Sequence, residues 1–286
     1  MQPFYIIGDL HGQYAQVTHL LRTANLIDAD LHWAAGNTTL CFMGDFCDRG
    51  PQGIECVELV MRLQQEAATA GGQVIALMGN HEPLLLAAYR FGMQETEGPG
   101  GSFWGDWHYN GGQVSDLERL TPAHVEWLSN LPTMVQVEDR LLMHADALFY
   151  IGYGRTIEEV NQHIADVLQS SNPSDWDQLL VAFTERLAFV NGQIFAEGAI
   201  KNIERAQIFL RIYTEQGRQK RLATQIIHGH TPIPYMTRQQ PRLVTAAHIY
   251  ADGLCVNVDG GLYLGGPGFV HVVDEPSAPL PRHPIT

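Results

Sequence analysis

The chain has 286 residues, of which 45% are apolar and 17% charged, so it can bury a sizeable core and global disorder is excluded. Its net charge of −14 argues against tracking a nucleic-acid backbone and against docking on an anionic membrane. Thirteen histidines are a surplus, and histidine is the commonest metal ligand. No apolar run approaches the length of a membrane span, and no basic stretch precedes an apolar segment at the start, so neither a span nor a signal peptide is expected. The four cysteines, Cys41, Cys47, Cys56 and Cys255, include no C-x-x-C pair and predict reduced thiols in a cytoplasmic setting.

Along the first half one pattern recurs. A short apolar run ends at glycine plus a polar residue, and an amphipathic stretch follows. Phe4–Ile7 runs into Gly8-Asp9, Leu40–Met43 into Gly44-Asp45, and Val74–Met78 into Gly79-Asn80. Helical patterning fills the intervals at about 14–24, 54–70 and 82–91. Strand, helix and strand at this spacing predict βαβ units, with the polar residues at the carboxyl ends of parallel strands, where open α/β sheets bind ligands. The Gly-rich, aromatic stretch 92–112 reads as a long surface loop, and 114–131 as a helix. Val135–Val137 and Leu141–Met143 suggest a hairpin. Residues of about 156–215 are helical in pattern with a break at Asn172-Pro173, and the last third holds short strands at 224–227, 254–258 and 269–273. The expected organisation is one domain over 1–275, with about 150–222 a helical, cap-like insertion, and a Pro-rich disordered tail at 276–286.

Three segments carry chemistry. In Gly8-Asp9-Leu10-His11-Gly12, an Asp and a His two apart can turn toward one metal; the same residues also suit an ordinary turn with a capping Asp. Gly44-Asp45-Phe46-Cys47-Asp48-Arg49-Gly50 holds two carboxylates and an Arg, a set that also suits a buried Asp–Arg pair or a helix N-cap. In Gly79-Asn80-His81-Glu82, Asn80 could cap the following helix or turn its amide oxygen to a metal.

In order and spacing the three resemble the GDxHG, GDxxDRG and GNHE signatures of the phosphoprotein phosphatase branch of the calcineurin-like metallophosphoesterases, and match them at every fixed position. Leu141-Leu142-Met143-His144, Gly229-His230-Thr231 and Asn110-Gly111-Gly112 fit later motifs, the last two as in bacterial members. The resemblance implies an αββα sandwich, two mixed central sheets flanked by helices, with two metal ions, most plausibly Mn and otherwise Fe or Zn. By position, Asp9, His11 and Asp45 would hold one ion; Asp45, Asn80, His144 and His230 would hold the other, with Asp45 bridging and a shared hydroxide attacking phosphorus in line. His228 is left outside the ligand set. His81 would protonate the leaving oxygen with Asp48 as its partner, and Arg49 and Asn80 would bind phosphate. A second phosphate-binding Arg is expected between the later histidines; Arg186 is chosen over Arg155 and Arg211. Cys47 is read as a possible oxidation-sensitive spot and Asp259 as structural. The function implied is a phosphomonoesterase acting on phosphoserine or phosphothreonine in proteins. Alternatives are a dinucleoside polyphosphate hydrolase, disfavoured by Asp48 and Glu82, a phosphotyrosine phosphatase, and a catalytically silent scaffold. The partners expected are phosphorylated proteins or small phosphate esters, and neither nucleic acid nor membrane.

Overall fold

The computed structural model describes residues 3–190, 201–215 and 223–274. Strands β1 (Phe4–Ile7), β2 (Thr39–Phe42) and β3 (Gln73–Ala76) alternate with helices α1 (Tyr14–Thr23), α2 (Gly53–Thr69) and α3 (His81–Phe91), as the recurring pattern predicts. Then come α4 (Phe103–Tyr109), α5 (Val114–Arg119), α6 (Pro122–Ser129) and the hairpin β4 (Met134–Val137) and β5 (Arg140–Met143). Helices α7 (Tyr150–Tyr153), α8 (Ile157–Gln169), α9 (Pro173–Ala182) and α10 (Asn202–Glu215) lie between β5 and β6 (Gln225–His228). The chain then runs through α11 (Ile233–Thr237), β7 (His248–Tyr250), β8 (Cys255–Asn257) and β9 (Val270–Val273).

One sheet has the order β3-β2-β1-β9 and the other β4-β5-β6-β8-β7. In the first, β1, β2 and β3 are parallel and β9 is antiparallel; in the second, β5, β6 and β8 are parallel between antiparallel β4 and β7. Period-two alternation makes this a sandwich. Phe4, Ile6, Cys41, Leu142, Ile227 and Val256 point inward and form one buried layer between the sheets. Their neighbours Ile7, Leu40, Phe42, Leu141, Ile226 and Cys255 point outward into the larger cluster shared with the helices. A register slip of one residue would exchange the two sets, so the burial of both faces fixes the register. The expected αββα architecture is therefore the one present.

Three local differences from the sequence reading have simple causes. The stretch 92–112 is not all loop: Ser102 accepts a hydrogen bond from the Gly105 N–H at 3.0 Å and starts α4, whose Phe103 and Trp107, one turn apart, are buried. The single helix expected over 114–131 is two, because Thr121 caps α6 and Pro122 occupies its first turn. The three-residue β7 and five-residue α11 are too short to leave a periodic signal. The helical content expected of the 150–222 segment is found in its described parts; residues 191–200 and 216–222, and the tail at 276–286, lie outside the described residues. No helix among the described residues is long and apolar enough to cross a membrane. All four cysteines are free and buried.

Candidate metal centre and phosphate cleft

The parallel strands of both sheets end in the segments that carry the candidate residues: Asp9 and His11 after β1, Asp45 after β2, Asn80 and His81 after β3, His144 after β5, His230 after β6. Their loops are tightly wound. His11, Asp45, Asp48, Arg49 and His230 all adopt left-handed backbone conformations, with φ of 43°, 51°, 68°, 63° and 67°. Such angles are uncommon for non-glycine residues and cluster at functional sites. Gly44, with φ of 101°, lets the second loop pack on the third: a Cβ there would meet the Gly79 backbone. Buried Glu82 rivets the same two loops, accepting N–H groups from Asp45 at 3.0 Å, Phe46 at 2.8 Å and Gly79 at 2.7 Å.

Two groups of potential ligand atoms result. His11, Asp45 and His81 gather theirs within 4.8 Å of one another, as do Asp45, His144 and His230. Asp45 belongs to both, as a bridging carboxylate must. Asn80 makes no capping bond to α3; its Oδ1 lies 3.1 Å from His144 Nε2 and 2.8 Å from His230 Nδ1, so of its two readings the structure favours the one that faces the histidines. Asp9 is in neither group of three: its carboxylate accepts the His230 N–H at 3.1 and 3.0 Å. His11 and His144 use Nδ1 on the carbonyls of Cys47 (3.1 Å) and Met43 (2.7 Å), leaving Nε2 toward the centre.

Beside these groups stands an acid–base pair. His81 Nδ1 is 2.7 Å from Asp48 Oδ2, and both side chains are fully buried. The other Asp48 oxygen accepts the Trp107 indole N–H at 2.8 Å, and the Asp48 N–H donates to Asp116. His81 Nε2 has no hydrogen-bond partner and lies 4.0 Å from Asp45 Oδ2. Arg49 is held by its N–H on the Gly111 carbonyl at 2.8 Å and by Tyr263, whose ring centroid is 4.3 Å from its guanidinium carbon. Its Nη1 donates to His11 Nε2 at 2.8 Å.

Arg49, Asn80, Arg186 and His230 line one cleft of about 140 Å³, walled by Leu180, Phe183, Pro232, Tyr235 and Tyr263. Of the three arginines weighed, Arg186 lines it and Arg155 and Arg211 do not. A larger groove of about 1010 Å³, lined among others by Met61, Ile75, Trp127 and Val135, contains no motif residue. His228 faces away from the ligand groups, with Nε2 2.8 Å from the Tyr250 hydroxyl. Cys47 is no reactive thiol: burial, reinforced by Asp116 and Asp48, pushes it well above its ordinary range, which argues against the oxidation-sensitive reading.

The calcineurin-like phosphoesterase family matches this chain over residues 2–256. The chain belongs to that family. Shewanella-like protein phosphatase 2 of Arabidopsis thaliana is 31% identical over 116 residues, 39% of this chain and 28% of that protein. A symmetrical bis(5'-nucleosyl)-tetraphosphatase of Wigglesworthia glossinidia brevipalpis is 31% identical over 86 residues, 30% of this chain and 26% of that one. The matched stretches thus span little more than a quarter of either relative. The crystal structure of a cold-active protein-tyrosine phosphatase from a psychrophilic Shewanella species shares the fold, with a TM-score of 0.69 at 23% identity over 95% of this chain and 75% of that one.

Calcineurin-like phosphoesterases are dinuclear metal enzymes, and the electrostatics of this centre suit two cations. Asp45 Oδ2, His81 Nε2 and His230 Nε2 are buried polar atoms without partners. Burial, then Asp259, raises Asp9 well above the usual carboxylate range despite nearby His144, so a cation beside it would favour its charged form. Burial disfavours a charge on His144, yet Asp45 and then Asp9 push its pKa up to about 10: the carboxylates demand positive charge nearby. Burial holds His11 and His230 well below the ordinary histidine range, in the neutral form that ligates metals. Sequence reasoning missed Trp107, Asp116 and Tyr263 as supports of Asp48 and Arg49. The one available signal was Phe103 and Trp107 at i and i+4.

Proposed function

We propose that the chain is a metal-dependent phosphomonoesterase acting on phosphoserine and phosphothreonine side chains of proteins. The observation that carries this reading is the buried His81–Asp48 pair, 2.7 Å apart, with His81 Nε2 unpartnered beside the ligand groups. Asp9, His11 and Asp45 would hold one metal, Mn by preference, and Asp45, Asn80, His144 and His230 the other. When bound, the pair supplies Lewis-acid charge and an acidified water. The chain's own residues do the rest. The Arg49 fork, stacked on Tyr263, and Arg186 in the same cleft grip phosphate oxygens, with the Asn80 amide beside them. His81 gives its Nε2 proton to the departing alkoxide. Asp48 stabilises the protonated ring, and Trp107 fixes the Asp48 carboxylate so that it cannot turn away.

The cleft volume supports the substrate class. About 140 Å³ takes one phosphorylated side chain; pockets for drug-sized ligands run from roughly 300 Å³ upward. The aromatic and apolar wall of Phe183, Pro232, Tyr235 and Tyr263 favours an aryl ester as a second reading, namely phosphotyrosine. The acidic surface of the chain suits discretely phosphorylated partners better than nucleic acid or membrane, and its four buried free thiols suit a cytoplasmic setting.

The test is a side-by-side assay of the Mn-reconstituted chain on phosphoserine, phosphothreonine and phosphotyrosine peptides, diadenosine tetraphosphate and an aryl phosphate. The proposal expects kcat/KM for phosphoserine or phosphothreonine peptides at least about tenfold above the dinucleotide, a difference one buried contact can supply. Preference for the dinucleotide would sink it, and a phosphotyrosine-only profile would replace it with the second reading.

A further inference from the structure

Arg186 differs from every other residue assigned to the centre. It comes from the turn after α9, not from a strand-end motif. A long side chain on a loop binds well only if its backbone is fixed. That turn is strained: Leu187 has φ of 64°, which a leucine rarely adopts. The groups that hold it come from one place. The Leu187 N–H donates to Asp146 Oδ1 at 2.8 Å, and the Ala188 N–H donates to the Asp146 carbonyl at 2.8 Å. On the other side of Arg186, Glu185 Oε1 accepts the Leu148 N–H at 2.8 Å.

Asp146 is fully buried. A buried carboxylate is tolerated only when its oxygens are satisfied, and its second oxygen accepts the Tyr250 hydroxyl at 2.7 Å. That hydroxyl lies 2.8 Å from Nε2 of buried His228, the residue before Gly229-His230. One carboxylate thus joins the Arg186 turn, the loop that begins at His144 and the strand end that carries His230. Asp146, Tyr250 and His228 do not line the phosphate cleft.

We propose that Asp146, braced by Tyr250, is a positioning residue that aims Arg186 into the phosphate cleft. The inference rests on the reading of Arg186 as a phosphate-binding side chain. It assigns the Asp146 carboxylate no contact with substrate.

The test uses the metal-reconstituted full chain with an aryl phosphate as substrate and inorganic phosphate as a competitive inhibitor. Arg186→Ala is expected to raise KM and the phosphate inhibition constant about tenfold, the worth of a charge-assisted hydrogen bond. Asp146→Ala is expected to do the same with metal content unchanged. In the double variant the losses should not add, because both act through one side chain. Asp146→Asn keeps an oxygen for the Leu187 N–H and offers an amide to Tyr250, so it should stay within about threefold of the parent. If Asp146→Ala does not fold, Tyr250→Phe decides: its KM should rise about threefold at unchanged kcat. An unchanged KM in the Asp146→Ala chain, or in Tyr250→Phe where that variant decides, overturns the proposal. Additive losses in the double variant do so as well, since they show a merely structural role. If Arg186→Ala itself leaves KM and the inhibition constant unchanged, the phosphate-binding reading fails first, and the positioning proposal falls with it.

Discussion

The strand-end loops at 8–12, 44–51 and 79–83 and the segment from 92 to 190 meet around the same centre, but they are built differently. Each strand-end loop carries its chemistry in a few consecutive residues, several of them at positive φ, and its glycines let the loops pack directly on one another. The later segment supplies supports one at a time, each through a contact far apart in sequence. Trp107 reaches Asp48 across 59 positions and Tyr250 reaches Asp146 across 104. The contrast separates two jobs. In the loops, groups that would bind metal or transfer a proton come several to a motif and share one wound backbone, whereas the groups of the later segment that tune and aim them are single side chains brought in by tertiary packing. Variants at the residues that would ligate metal or donate the proton should abolish activity, and variants at the supports Trp107 and Asp146 should graduate it.

The largest effect is expected at Asp45, which belongs to both ligand groups. Asp45→Asn should lose bound metal and lower turnover by at least about 10³-fold, read by elemental analysis beside the phosphatase assay. Next comes His81→Asn. It should keep its metals and lose about 10²–10³ in kcat, most for alkyl phosphates, whose leaving oxygens need a proton, and least for activated aryl esters. Loss of both metals in that variant would show that His81 is a ligand and not the acid.

Trp107→Phe sharpens the comparison from the other region. The substitution keeps an aromatic ring but removes the N–H on Asp48 and part of the indole's volume, so kcat should fall about tenfold, again more for alkyl than aryl esters. An equal loss for both ester types would mean that Trp107 acts on packing and not through the acid–base pair.

The smallest effect concerns Asp116, which accepts the Asp48 N–H from α5. Burial raises its pKa from 3.8 to about 6. The folded chain therefore holds this proton to higher pH than the unfolded chain does. Its contribution is fully present below pH 3.8 and is lost as pH rises through about 6. Asp116→Asn cannot ionise, so its melting temperature should fall less than the parent's between those two pH values, as scanning calorimetry would show. A parallel pair of curves would remove Asp116 from the account.

The same contrast explains what the sequence disclosed. The order of strands β1 to β3 was legible in the recurring pattern of apolar run, glycine and polar residue, and the sandwich architecture followed from the family resemblance of the motifs, whereas the crossovers alone indicate only an α/β core. Asn80 needed the structure to choose between capping α3 and facing His144 and His230, since both fit the same residue. Asp9, expected to ligate beside His11 and Asp45, also accepts the His230 N–H, a contact 221 positions away that no local pattern carries. Trp107 lay hidden in a stretch whose glycines read as loop, although Phe103 and Trp107 share one helical face. Arg186 had no motif, and its placement depends on Asp146, a residue that the sequence marks only as the neighbour of a histidine.

The central claim is that Asp45 joins two metal ions in one centre. Electron paramagnetic resonance of the Mn-reconstituted chain tests it most directly. The account predicts about two Mn per chain and the spectrum of an exchange-coupled pair, as expected for ions about 3.5–4 Å apart under one bridge. A six-line signal from isolated ions, with one Mn or fewer per chain, would contradict it.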